Sequence, residues 1–123
     1  MSGGGGAGGG EADRVAQFTA FRKRMNERIL AEPNQVVRRF FALDTQTYQD
    51  GALDVKTKEL LGLVASMVLR CDDCINYHVI QSYRLGATRG EQEEAINVAL
   101  VVGGSIVVPH LRRAYALLGE LYD

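Results

Sequence analysis

The chain carries two cysteines, three residues apart in Cys71-Asp72-Asp73-Cys74-Ile75-Asn76-Tyr77-His78, with a histidine four residues past the second. If Cys74 opens a helix, His78 lies one turn further along the same face, because side chains at i and i+4 are neighbours on a helix of 3.6 residues per turn. A base then comes within reach of a thiol. Cysteine attacks as the thiolate, and a helix N-terminus or an adjacent imidazole each lowers a thiol pKa from its ordinary ~8.5. Cys74 is placed to have both. The residue types leave two chemistries open, a Cys-x-x-Cys pair that cycles through a disulfide and a metal site. With Glu59, the two cysteines and His78 make four ligands of kinds that zinc accepts. The metal reading is the weaker, since the second closely spaced pair of a zinc finger is missing.

The residues that must position this segment lie on either side of it. Asp54 is suited to N-cap a helix from Val55 to about Arg70, its carboxylate accepting from free amides at the positive end. Leu60, Leu61, Leu63, Val64, Ala65, Met67, Val68 and Leu69 cover most of that helix's circumference, which predicts a central helix, one buried in a subunit interface, or both. Glu59, twelve residues before Cys71, interrupts this apolar surface. As a first-turn residue it suits the helix dipole; as part of the spacing Glu-x11-Cys-x2-Cys-x3-His it becomes a candidate for the site. The helix carrying the cysteines is expected from about Asp73 to Leu85, with Asp72 or Asp73 as its N-cap and Gly86 as its C′ residue.

Thr88 and Glu91 form the Ser/Thr-x-x-Glu capping box, opening a fifth helix through Ile96, Ala99, Leu100 and Val101 to Gly103-Gly104. A sixth is expected from about Ser105 to Leu121, with Pro109 near its first turn. Upstream, Val15, Phe18, Phe21, Met25 and Ile29 recur at helical spacing from Glu11 to about Ala31, and a second helix from Pro33 carries Val36, Val37, Phe40 and Phe41. The tract 1–10 is nearly all glycine from Gly3 onward and is expected to be a flexible tail, leaving 11–123 as a helical domain. Val101-Val102 and Ile106-Val107-Val108 have β-branched character but no partner strands. The expected fold is all-α, a bundle of about six helices.

At 123 residues, 46% apolar and 24% charged, the chain has the composition of one globular domain, small enough that oligomerisation would add to its core. A formal net charge of −1, with no dense Lys/Arg run, argues against an electrostatic nucleic-acid or membrane binder. No apolar stretch reaches 18 residues, and the N-terminus shows neither a basic n-region nor an apolar h-region. The cytoplasm is therefore the expected location. In that compartment a transient catalytic disulfide is more usual than a structural one.

The spacing of Glu59, Cys71, Cys74 and His78, with Leu53-Asp54-x-Lys56-x-x-Glu59-Leu60, the Gly86-Ala87-Thr88 turn and the Gly103-Gly104 break, resembles the AhpD-like alkylhydroperoxidase and carboxymuconolactone decarboxylase family over most of residues 50 to 120. The resemblance implies an AhpD-like all-α fold assembled as homo-oligomeric trimers or hexamers, with a thiol site between helices. It implies that Cys74 attacks a hydroperoxide and that Cys71 resolves the product into a disulfide. His78 and Glu59 would relay the proton. No bound cofactor is implied; the electrons would come from an external dithiol such as dihydrolipoamide or from a thioredoxin-like protein. Independent chemistry fits these roles, since a sulfenic acid condenses with a thiol in reach before it oxidises further, and a carboxylate can fix an imidazole's tautomer.

One departure stands out. Peroxidase members of the family often carry a histidine directly before the second cysteine, where this chain has Asp73, an anion beside a thiolate. Three rival readings remain: the decarboxylase branch, acting on a ring lactone without cysteines; a dithiol relay without peroxidase activity; and an interaction module with inert core cysteines. A thioredoxin fold is disfavoured because no βαβ pattern surrounds the motif. His110 is expected to be a surface or interface histidine, Tyr77 and Tyr83 to be packing residues, and Arg112-Arg113 to lie on a solvated face.

Overall fold

The computed structural model describes residues 7–123, with side chains from Arg14 onward. Its elements are α1 (Ala7–Ala31), α2 (Gln35–Thr47), α3 (Val55–Val68), α4 (Asp72–Arg84), α5 (Arg89–Gly103), a 3₁₀ turn (Ser105–Val107) and α6 (Val108–Tyr122). Six α-helices and no strand occur among the described residues, as the sequence predicts. The β-branched pairs at 101–102 and 106–107 fall in the last turn of α5 and in the 3₁₀ turn. Helix α1 begins at Ala7, ahead of the expected start at Glu11; residues 1–6 of the expected tail lie outside the described residues. The chain forms two compact units, one ending at Gln49 and one running from Asp50 to Asp123.

In the first unit, α2 starts at Gln35 rather than at Pro33, because Asn34 adopts an extended conformation and its Oδ1 accepts the Val37 amide at 3.3 Å. Pro33 therefore precedes the cap instead of filling the first turn. Thr45 and Thr47 donate back to the carbonyls four residues earlier, at 3.1 and 2.8 Å. Helix α2 contains no buried residue, and Val36, Phe40 and Leu43 form an exposed stripe at spacings of four and three.

The second unit contains the core. Its buried apolar residues include Leu63 and Met67 of α3, Ile75, Val79 and Ile80 of α4, Ile96 and Ala99 of α5, and Ala114, Leu117 and Leu118 of α6. Helix α3 packs mainly against α4 and α5, and α4 packs also against α6. This is the central place that its apolar circumference requires, although Leu61 and Leu69 are left exposed. Asp54 caps α3 as expected, accepting from the Thr57 amide at 2.8 Å. The Thr88/Glu91 box is complete in both directions. Glu91 also receives Lys56 Nζ at 3.1 Å, which ties the start of α5 to the start of α3.

Two further devices fix α4. At its C-terminus Gly86 takes φ +88°, with the Ala87 amide bonded to the Ser82 carbonyl and the Gly86 amide to that of Tyr83. This is the Schellman arrangement, at the glycine that the sequence marks for it. On its flank, fully buried Gln92 of α5 donates through Nε2 to the Val79 carbonyl at 3.1 Å. The same amide group reaches the Tyr122 hydroxyl at 2.9 Å, and that hydroxyl donates to the Ala87 carbonyl at 2.6 Å. A buried amide is tolerated where its donors are used. Here it links α4, α5 and α6.

Candidate active site

The cysteine segment begins where α3 ends. After the last turn of α3, Arg70 adopts φ 60°, the left-handed region usually left to glycine, while the Cys71 amide bonds back to the Ser66 carbonyl at 3.0 Å. A second Schellman turn thus reverses the chain into α4. For a residue with a Cβ, this conformation costs about 1–2 kcal/mol. It sits immediately before Cys71.

The sequence analysis expects Asp72 or Asp73 to cap α4, and the structure corrects this. Cys71 is the N-cap, with its Sγ accepting from the Cys74 amide at 3.3 Å. Asp72 and Asp73 fall in the first turn instead. Oxygen caps usually prevail over sulfur because they accept better; here the turn after Arg70 sets the cap one residue earlier than the carboxylates. Cys71 and Cys74 are joined as a disulfide, their Cα atoms 5.3 Å apart. Cys74 is exposed and Cys71 partly so.

Glu59 and His78 come together, as the family resemblance implies. Glu59 Oε1 lies 2.7 Å from His78 Nδ1, and both residues are buried, Glu59 at 3% exposure and His78 at 9%. A contact this short between a carboxylate and a ring nitrogen places the proton on Nδ1, from which it is donated to Glu59. Tyr77 packs edge-on against the same imidazole, with ring centroids 5.2 Å apart. His78 stands one turn after Cys74 on α4, so a single helix carries the sulfur and the imidazole.

Gly62 is the residue the sequence analysis missed. One helical turn beyond Glu59, it faces the ring of His78 so closely that a Cβ added there would stand 2.6 Å from Cε1 and 2.8 Å from both ring nitrogens. Only glycine lets the imidazole lie against α3. The available signal was an isolated glycine inside an otherwise apolar helix, which marks a close approach more often than a flexible spot.

His110 and Arg113, at the surface as expected, meet the cysteine segment. His110 Nδ1 is 2.7 Å from Asp72 Oδ1, and Arg113 Nε is 3.0 Å from Asp72 Oδ2. Arg113 lies on a solvated face as expected and also pairs with the cysteine segment through Asp72. Partial burial works against ionisation of Asp72, but the hydrogen bonds from His110 and Arg113 outweigh it and hold its carboxyl below the usual carboxylate range. Tyr83 makes an edge-on contact with Tyr122 at 5.0 Å, a packing role as expected.

Among the described residues no group of three or more His, Cys, Asp and Glu side chains is arranged to hold a metal ion, and no helix is long and apolar enough to cross a membrane. The arrangement that remains is a Cys-x-x-Cys disulfide at the start of a helix with a buried carboxylate–imidazole pair one turn on. A dithiol there can open and close under exchange, and the pair can hold and pass a proton.

Comparison with known proteins bears on this arrangement. The sequence profile of the carboxymuconolactone decarboxylase family matches residues 34–116. An uncharacterised protein of the cox locus of Paracoccus denitrificans is 38% identical over 82 residues, 67% of this chain and 74% of that protein. A crystal structure of a carboxymuconolactone decarboxylase family protein from Thermotoga maritima, for which a role in antioxidative response has been suggested, is 54% identical with a TM-score of 0.81, covering 85% of this chain and 89% of that one. An apo structure of a family protein from Legionella pneumophila is 29% identical with a TM-score of 0.74, covering 89% and 95%.

Proposed function

The chain belongs to the carboxymuconolactone decarboxylase family, and we propose that it is a thiol-dependent hydroperoxidase of the AhpD-like kind. The observation that carries this reading is the Cys71–Cys74 disulfide at the head of α4, the helix that also bears the Glu59-paired His78. A decarboxylase acting on a lactone needs no such dithiol. The suggested antioxidative role of the Thermotoga maritima relative is consistent with it.

In the proposed cycle the Cys74 thiolate attacks one oxygen of the hydroperoxide, forming a sulfenic acid and expelling an alkoxide. The His78 imidazole, oriented by Glu59, takes the proton that leaves the Cys74 thiol and hands it to the alkoxide, which becomes an alcohol. Cys71 then attacks the Cys74 sulfur, water leaves, and the disulfide closes. An external dithiol of the dihydrolipoamide class, or a thioredoxin-like protein, returns two electrons and two protons. The sum is one hydroperoxide and one dithiol converted to alcohol, water and the dithiol's disulfide. The exposure of Cys74 leaves it open to both substrates.

We further propose a homo-oligomer, trimeric or hexameric, acting in the cytoplasm. Support for assembly comes from apolar side chains left exposed within each unit, the stripe Val36, Phe40 and Leu43 on α2 of the first and Leu69, Val101 and Val102 of the second. The test of the chemistry is dithiol-dependent peroxide consumption by three proteins. The unmodified protein turns over, and Cys74→Ser is inactive. Cys71→Ser completes one stoichiometric reaction that ends in a sulfenic acid trappable by dimedone. Full turnover by Cys71→Ser without an added resolving thiol would refute the two-cysteine scheme, and a lactone decarboxylation unaffected by Cys74→Ser would favour the decarboxylase branch.

A further inference from the structure

The cysteine pair is gripped from outside α4. Asp72 lies between Cys71 and Cys74 in the first turn of the helix, and both of its carboxylate oxygens are taken by α6, Oδ1 by His110 and Oδ2 by Arg113. Of the two groups near His110 Nδ1, the carboxylate at 2.7 Å requires a proton on that nitrogen, so Arg113 Nη2 at 3.3 Å is a close neighbour and not a donor to it. The His110 side chain is only 16% exposed, against 42% for Asp72 and 55% for Arg113, so the histidine is the fixed member and the arginine the solvent-facing one.

We propose that His110 and Arg113 are positioning residues for the thiol chemistry: by binding both oxygens of Asp72 they offset its charge next to Cys71 and Cys74 and so favour the reduced, thiolate-bearing form of the pair. The inference deepens the peroxidase reading and rests on it for its use in a catalytic cycle.

The reasoning is electrostatic. Reduction of the disulfide by a dithiol breaks one S–S bond in the protein and forms one in the reductant, leaving two protein thiols, and whatever stabilises a thiolate favours that side. Asp72 and Asp73 bring two carboxylates to the first turn. At ~7 Å and an effective dielectric of ~40, one uncompensated carboxylate disfavours a neighbouring thiolate by about five- to tenfold. A guanidinium and an imidazole N–H on Asp72 remove much of that penalty. The contact spans 38 residues of sequence, from the head of α4 to the first turns of α6, so it also fixes where the cysteine segment sits.

The test uses the full-length chain equilibrated in mixtures of reduced and oxidised dithiothreitol, with protein thiols counted and thiolate formation followed by ultraviolet absorbance against pH. Together His110→Gln and Arg113→Gln shift the equilibrium about five- to tenfold toward the disulfide and raise the apparent thiol pKa, with Arg113→Gln alone giving about threefold. Arg113 is exposed, so Arg113→Gln carries the test even if His110→Gln folds poorly. In an Asp72→Asn background both substitutions lose most of their effect, to within about twofold, because the carboxylate that holds the guanidinium and imidazole beside the cysteines is gone. An unchanged equilibrium for Arg113→Gln, or the same shift with and without Asp72, would overturn the inference. The dithiothreitol equilibrium does not involve peroxide. Thiols that ignore peroxide while these shifts appear would therefore defeat the peroxidase reading alone, and thiols that react with peroxide while the shifts are absent would defeat this inference alone.

Discussion

Substituting Gly62 by alanine tests whether the seat of His78 governs both stability and chemistry. A Cβ on Gly62 would stand 2.6–2.8 Å from three ring atoms of an imidazole that is itself buried and bonded to Glu59 at 2.7 Å. Restoring ordinary contact requires the ring to move by about 0.8 Å, and it cannot do so freely because Glu59 holds its Nδ1. Overpacking of this kind costs about 1–3 kcal/mol, and weakening a buried hydrogen bond to a charged group about 1.5–3 kcal/mol more. Alanine returns about 1 kcal/mol in helix propensity. The balance is a loss of about 3 kcal/mol, or roughly 9–15 °C in Tm for a chain of this size. A misplacement approaching 1 Å at a catalytic base costs up to about a hundredfold in rate. The expected result is therefore a lower melting temperature together with a ten- to hundredfold slower loss of thiols on adding peroxide. A Gly62→Ala protein as stable as the parent, with an unaltered oxidation rate, would refute the close seating of His78 and the role assigned to it.

Other outcomes follow from the same geometry. Glu59→Gln keeps a hydrogen-bonding side chain beside His78 but removes the carboxylate, so thiol oxidation slows by about ten- to a hundredfold while the far-ultraviolet circular dichroism is unchanged. Arg70→Gly relieves the left-handed strain before Cys71 and raises stability by up to about 1 kcal/mol in denaturant unfolding; an equal or lower midpoint would show that the arginine makes compensating contacts. Gly103→Ala drives a Cβ into Val107 and toward Val68 Cα at 3.8 Å, and lowers Tm despite its better helix propensity. Asp54, Asp72 and Glu91 all have carboxyls held below their ordinary range by hydrogen bonds and cationic neighbours in the fold. A depressed folded-state pKa contributes stability that is present above the unfolded value and lost as pH falls through the folded one. Melting temperature should thus hold level from neutrality to about pH 5 and fall below about pH 4.5, whereas an acid-independent Tm would contradict those shifts.

Features written in short stretches of sequence were legible. Asp54, Gly86 and the Thr88/Glu91 box each fix a helix end by chemistry within four residues, and each stands where it was expected. The pairing of Glu59 with His78 across 19 residues was legible only through the motif spacing. Three features were not. The capping role of Cys71 was hidden because two aspartates beside it are better caps by residue type, and only the turn at Arg70 decides between them. The approach of His78 to Gly62 depends on how α3 and α4 pack, which periodicity does not specify. The grip of His110 and Arg113 on Asp72 depends on α6 folding back against α4; on the sequence both looked like ordinary surface residues.

The most direct test of the account is a thiol count on the native, reduced protein before and after one equivalent of tert-butyl hydroperoxide, followed by dihydrolipoamide. Rapid loss of two thiols per chain, restored in full by the dithiol, is the predicted result. Thiols untouched by peroxide yet readily closed by a disulfide donor would contradict it and leave a dithiol relay in place of a peroxidase.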